Sequence, residues 1–197
     1  PDKDKIKIAA GSEAEIEVFT EAEIEQILFY LEDKDKVSER DKVVILVLLY
    51  TGLRVSELVN IKIKDIDLLT LNLKVVGKGG KYREVPLKAE VAAAIKVYLE
   101  GERRESKFVT SEYLLLTQRS SKMNKDAVNK LINKHGKELN MVIRPHKFRH
   151  TFCTRLINKG AELTTVSKLA GHSNIQTTAK FYINTSREEK QEAVDLL

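Results

Sequence analysis

The sequence predicts a mainly α-helical domain with one small antiparallel β-hairpin. Three observations predict it. Apolar residues recur at spacings of three and four through most of the chain. Strict alternation appears only around residues 71–76 and 82–86, on either side of the turn Gly77-Lys-Gly-Gly-Lys81. Helix start and stop residues punctuate the rest, from Thr20 and Ser38 to Gly52, Gly101, Asn124, Pro145 and Gly160.

Residues 1–18 are charged and weakly patterned around Gly11-Ser12, and read as a linker from a missing upstream domain. A chain opening on Pro1 without Met is expected to be a fragment. Thr20-Glu-Ala-Glu23 is a capping box that opens a first helix, with Ile24, Ile27, Leu28 and Leu31 as its apolar stripe. Ser38 caps a second helix, whose run over 43–50 is apolar nearly all round and so buried; Gly52 ends it. Ser56 is expected to cap a short third helix. After the hairpin, residues 88–100 form an amphipathic helix with Val91, Ile95, Tyr98 and Leu99 inward. Residues 102–106 are a charged loop, and 113–116 are either a short strand or a buried connector. Asn124 caps a helix with Val128, Leu131, Ile132 and His135 on one side; His135 reads as structural. Pro145 suits a first helical turn, where its missing N–H costs little, and Phe148, Phe152 and Leu156 form the expected buried stripe. Short helices over 163–170 and 175–183 and an amphipathic tail over 186–197 complete the chain.

The 197 residues suffice for one good core. The longest apolar run is too short to span a bilayer, and the N-terminus lacks the apolar stretch of a signal peptide. The single cysteine, Cys153, excludes an intramolecular disulfide and suits a reducing cytoplasm. Neither cysteines nor clustered histidines supply a metal site. The net charge of +5 hides an asymmetry: residues 1–42 carry 13 acids against 7 Lys/Arg, so the remainder is about +11. Residues 72–83 (Lys74, Lys78, Lys81, Arg83) and 141–161 (Arg144, Lys147, Arg149, Arg155, Lys159) contain no acid at all. Clustered charge of one sign is the footprint of a polyanionic partner.

Within those limits a few residues carry chemistry. Arg54 stands between a buried helix and a short one, where a guanidinium needs an anion; Glu57, three residues on, or a bound phosphate can provide it. His146 and Arg149, three apart, share a helix face. Gly171-His172 follows a short apolar helix, with a tyrosine ten residues later. The spacing at Gly77-Lys-Gly-Gly-Lys81 is not that of a P-loop, so nucleotide binding is disfavoured.

Together these pieces resemble the catalytic domain of the tyrosine recombinases, the phage and transposon integrases and Xer-type resolvases. The matching stretches are Thr51-Gly-Leu-Arg-x-Ser-Glu-Leu58, Gly77-Lys-Gly-x-Lys-x-Arg-x-Val-Pro-Leu87, His146-x-x-Arg-His150 and Leu169-x-Gly-His-Ser173, with Thr177-Thr178 leading to the terminal tyrosine. The resemblance covers about 19–197 and implies a catalytic-domain fold there. It implies that Arg54 and Arg149 clamp a scissile phosphate, that His172 adds a donor, and that His146 bonds the phosphate or the tyrosine. Lys78 would protonate the leaving 5′-oxygen and Tyr182 would attack, leaving a 3′-phosphotyrosyl bond. Glu57 and His150 would support these groups, while Lys81, Arg83, Arg144 and Lys147 would contact DNA. It further implies double-stranded DNA as partner, a homo-tetramer exchanging C-terminal tails, accessory DNA-bending proteins, and a cytoplasmic, nucleoid-associated setting. No metal, ATP or other cofactor is expected. The alternatives are a type IB topoisomerase-like enzyme and an inactive DNA-binding relative. One departure stands out: the family spacing from the histidine to its nucleophile is nine residues, which here reaches Phe181, and the tyrosine is tenth. Either one extra residue is absorbed and Tyr182 attacks, or Phe181 holds the nucleophile's place and the chain is inactive.

Overall fold

A buried helix at the centre of the domain explains its layout. The computed structural model describes residues 16–181, 191 and 194–196. Helix α1 (Glu21–Tyr30) opens on the expected capping box, with Thr20 and Glu23 each bonding the other's backbone N–H. Helix α2 (Glu39–Thr51) is capped by Ser38 and buries every residue from Val43 to Leu49. An all-round apolar helix must be covered on several sides. Helices α4 (Ala89–Glu100), α5 (Lys125–Glu138) and α6 (Pro145–Asn158) pack against it.

The short helix α3 (Val55–Leu58) does not use Ser56 as its cap. Arg54 holds that position, and the Glu57 carboxylate accepts the Arg54 backbone N–H at 2.9 Å. The sheet has one strand more than the hairpin predicts, because β1 (Ile66–Asp67) pairs with β2 (Asn72–Val76), which pairs with β3 (Tyr82–Pro86), all antiparallel. Two residues give too little alternation to be seen in sequence. Leu73 faces Val85 in register, and both are buried.

Residues 113–116 form the connector rather than a strand: Leu114, Leu115 and Leu116 are buried, with one bridge between Lys62 and Tyr113. Leu99 is only half-buried, as are Phe152 and Leu156. The inward face of α6 is set by Phe148, Arg149, Thr151, Cys153 and Ile157 instead. Helix α7 (Leu163–Ala170) and a helical stretch over 175–181 follow. Cys153, Ile157, Val166, Ala170 and Phe181 make a small second apolar cluster there. Among the described residues no helix is long and apolar enough to cross a membrane.

Candidate active site

Two glycines in left-handed conformation frame the site. Gly52 (φ 63°) closes α2 and Gly171 (φ 68°) closes α7. A side chain at Gly52 would run into the Phe152 ring, and one at Gly171 into the Arg83 guanidinium. Only glycine meets both demands, positive φ and close approach. Each carbonyl is then taken by an arginine from another element. Gly52 O accepts from Arg149 Nη1 at 2.6 Å, and Gly171 O accepts from both terminal nitrogens of Arg54 at 3.3 Å. The chain just past each glycine supplies the site itself, with Arg54 after Gly52 and His172 after Gly171.

Glu57 is the anion at the base. It is buried and accepts from Arg83 Nη1 at 2.8 Å, Arg83 Nη2 at 3.0 Å and Arg54 Nη1 at 3.4 Å. Burial pushes its carboxyl upward, but the hydrogen bonds and charges of Arg83 and Arg54 outweigh that and hold it below the usual range. Arg83 Nε also donates to Leu169 O at 2.8 Å. One side chain thereby ties β3 to α3 and α7.

Arg149 has no such anion. It is only 7% exposed, and none of the ion pairs among the described residues includes it. With Nη1 on Gly52 O, its buried Nη2 has no hydrogen-bond partner among the described residues. Burial, and next the charge of Arg54, lower its pKa to about 10. A buried donor left empty is costly, and an arriving anion satisfies it.

His172 lies half-buried beside these cations. Its Nδ1 is 2.7 Å from Thr178 Oγ1, and its ring is parallel to that of Phe181 with centroids 6.3 Å apart. Burial first, then the charges of Arg149, Arg54 and Arg83, push the imidazole down to about 4. It is therefore neutral at pH 7. His150 lies between neighbours, stacked with His146 at 6.2 Å and tilted against Phe181 at 5.4 Å, and burial lowers its pKa too. The Cys153 thiol is buried and pushed up to about 11, which leaves it an inert filler under the site.

Of the residues singled out in sequence, the structure brings Arg54, Glu57, Arg149 and His172 together. Lys78 and Lys81 are exposed on and just after the tight turn Lys78–Gly80. Arg144 and His146 are exposed at the start of α6, and Lys147 is half-buried with Nζ 4.6 Å from the Phe19 ring centroid. Arg83, expected on DNA, has all three guanidinium nitrogens engaged inward. Alternation along β3 carried that signal, since Arg83 falls on the face of buried Val85. Thr178 and the two glycine carbonyls were not singled out for any role. Tyr182 and most of the tail over 186–197 lie outside the described residues.

This fold is that of the tyrosine recombinase catalytic domains. The XerA recombinase structure matches with a TM-score of 0.74 and 27% identity, covering 83% of this chain and 59% of that one. XerH bound to palindromic difH substrate, a post-cleavage complex, matches with 0.78 and 26%, covering 91% and 52%. A tyrosine-to-phenylalanine variant of the Tn1549 transposon integrase, in complex with transposon right end DNA, matches with 0.69 and 28%, covering 89% and 65%. The pattern of the phage integrase family matches residues 17–189, and the chain belongs to that family. It is 41% identical over 165 residues to tyrosine recombinase XerC of Staphylococcus epidermidis, and 39% to that of Staphylococcus aureus. Each alignment takes in 83% of this chain and 55% of the relative, so the chain spans about half the length of the relatives it matches.

Proposed function

We propose that this chain is the catalytic half of a site-specific DNA recombinase, breaking and rejoining strands through a 3′-phosphotyrosyl intermediate. The observation that carries this is the empty Nη2 of buried Arg149, beside Arg54 and a neutral His172. Two guanidinium forks and an imidazole donor suit the non-bridging oxygens of a phosphodiester, whose charge grows in the transition state. The arginines supply the charge stabilisation, so this reading needs no metal or ATP. Lys78 protonates the leaving 5′-oxygen, carried in by a turn with three glycines. His146 bonds the phosphate or the nucleophile, with His150 behind it. Lys81, Arg144 and Lys147 hold the backbone.

Duplex DNA is the partner, as supported by relatives solved on difH and on transposon DNA. Residues 1–18 link this domain (19–197) to one that clasps the opposite face of the duplex. Four copies assemble there, exchanging their tails over 186–197, with accessory DNA-bending proteins, in the cytoplasm at the nucleoid.

Tyr182 supplies the attacking hydroxyl in this reading. One observation favours a second: Phe181 is buried with its ring parallel to that of His172, where a phenol would lie beside the histidine. The test is a nicked duplex, selected by binding from a random pool and run on a denaturing gel. A covalent protein–DNA band that Tyr182→Phe abolishes supports the first. No band from the chain as it stands, and a band from Phe181→Tyr, supports the second. No band from either sinks the enzymatic reading, and a band without joining of two duplexes points to topoisomerase-type chemistry.

A further inference from the structure

Two adjacent threonines follow His172, and they differ sharply. Thr177 is exposed, whereas Thr178 is fully buried with its Oγ1 2.7 Å from His172 Nδ1. This is the hydrogen bond that its hydroxyl makes among the described residues. Two arrangements are open to the pair. If Nδ1 carries the proton and donates, the buried Thr178 O–H has no acceptor among the described residues, and Nε2 is left with a lone pair. If Thr178 donates, no buried proton is stranded, and Nε2 carries the hydrogen. An unpaired buried donor costs more than an acceptor with a spare lone pair, so the second arrangement wins.

We propose that Thr178 is a positioning residue: its hydroxyl donates to Nδ1 of His172 and holds the ring as the Nε2–H tautomer, a neutral donor for the anion drawn by Arg54 and Arg149. The last clause rests on the reading of the site as phosphate-binding; the tautomer is a property of the free protein. A ring nitrogen's role is set by the bond made by the other nitrogen. The same logic operates at His135, where Asp41 Oδ2 lies 2.8 Å from Nε2 and Tyr30 Oη 2.7 Å from Nδ1. A carboxylate only accepts, so Nε2 there carries a proton.

The experiment is long-range proton–nitrogen NMR on the free chain with ¹⁵N-labelled histidine at pH 7. His172 is expected as the Nε2–H form, and Thr178→Ser keeps it. Thr178→Val moves it toward a mixture with Nδ1–H, while Thr177→Val changes nothing. An Nδ1–H ring in the unsubstituted chain overturns the proposal by itself, whether or not Thr178→Val folds. An unshifted tautomer in a folded Thr178→Val chain overturns it equally. Titration with inorganic phosphate then separates the two layers. Phosphate binding by Thr178→Val that weakens in proportion to the lost Nε2–H fraction, about twofold for an even mixture, upholds both. A shifted tautomer with unchanged phosphate affinity upholds the positioning contact and overturns the phosphate reading of the site.

Discussion

Arg83 and Glu57 meet beneath the site in a two-point ion pair, Nη1 to Oε1 at 2.8 Å and Nη2 to Oε2 at 3.0 Å. Both side chains are largely covered, at 16% and 7% exposure. Removing one partner of such a pair strands the other's charge, at a cost of about 3 kcal/mol. Arg83→Met should therefore destabilise the fold by about that amount in urea unfolding. It should leave the salt dependence of duplex binding unchanged, because no phosphate contact is lost. A log–log slope shallower by about one unit would put Arg83 on the DNA after all.

Lys78 is the opposite case, an exposed cation on a turn of three glycines. Its assignment as general acid predicts a loss of roughly 10²–10⁴-fold in cleavage for Lys78→Ala. A substrate with sulfur in place of the bridging 5′-oxygen has a leaving group that needs no proton. Cleavage of that substrate by Lys78→Ala should approach the rate of the unsubstituted chain. Rescue of Lys81→Ala alone would move the role to Lys81.

How much of this was legible beforehand depends on whether a signal is local. The capping box at Thr20, the all-apolar run of α2 and the β2–β3 hairpin are written in spacings of two to four, and all were readable. Arg54 and Glu57 are three apart and were readable as a pair. The partners of Arg83 were not, because Leu169 lies 86 positions away and Glu57 26. Arg103 shows the same limit. It sits in what reads as a charged loop, yet it is buried and donates to the carbonyls of Val109, Ser111, Tyr113 and Leu114. His135 read as structural, but its partners Tyr30 and Asp41 lie 105 and 94 positions away.

That buried Tyr30–His135–Asp41 chain sets an acid limit on stability. Burial alone would raise the Asp41 carboxyl, but the His135 hydrogen bond and Arg40 overcome it and hold the group at about 2 against an ordinary 3.8. The unfolded chain therefore binds the proton first as pH falls. The contribution, about 2 kcal/mol, is fully present above about pH 5 and is lost as pH drops through 2. Urea unfolding at successive pH values should show Asp41→Asn flattening the decline between pH 4 and pH 2. An identical decline in both chains would remove Asp41 as its source.

Arg149 predicts a trade between stability and binding. Among the described residues its buried guanidinium has no ion-pair acid and its Nη2 no hydrogen-bond partner, and it feels the charges of Arg54 and Arg83. Its pKa, lowered to about 10 first by burial and then by the charge of Arg54, shows that its charged form is disfavoured where it sits. Arg149→Met removes that penalty but loses the bond to Gly52 O and leaves a carbonyl unpaired, which costs about 2 kcal/mol. The relief of that penalty is expected to exceed the loss, so Arg149→Met should melt at a higher temperature than the unsubstituted chain in the absence of DNA. Duplex binding should go the other way. The unsubstituted chain should gain Tm on adding DNA, because an anion completes Nη2, while Arg149→Met should start higher and gain much less. Arg149→Lys keeps a charge but cannot fork between Gly52 O and a phosphate, and should lose cleavage by about 10²-fold. If Arg149→Met melts well below the unsubstituted chain in the absence of DNA, the guanidinium is a net stabiliser of the free fold. The site would then not be held open at the expense of stability.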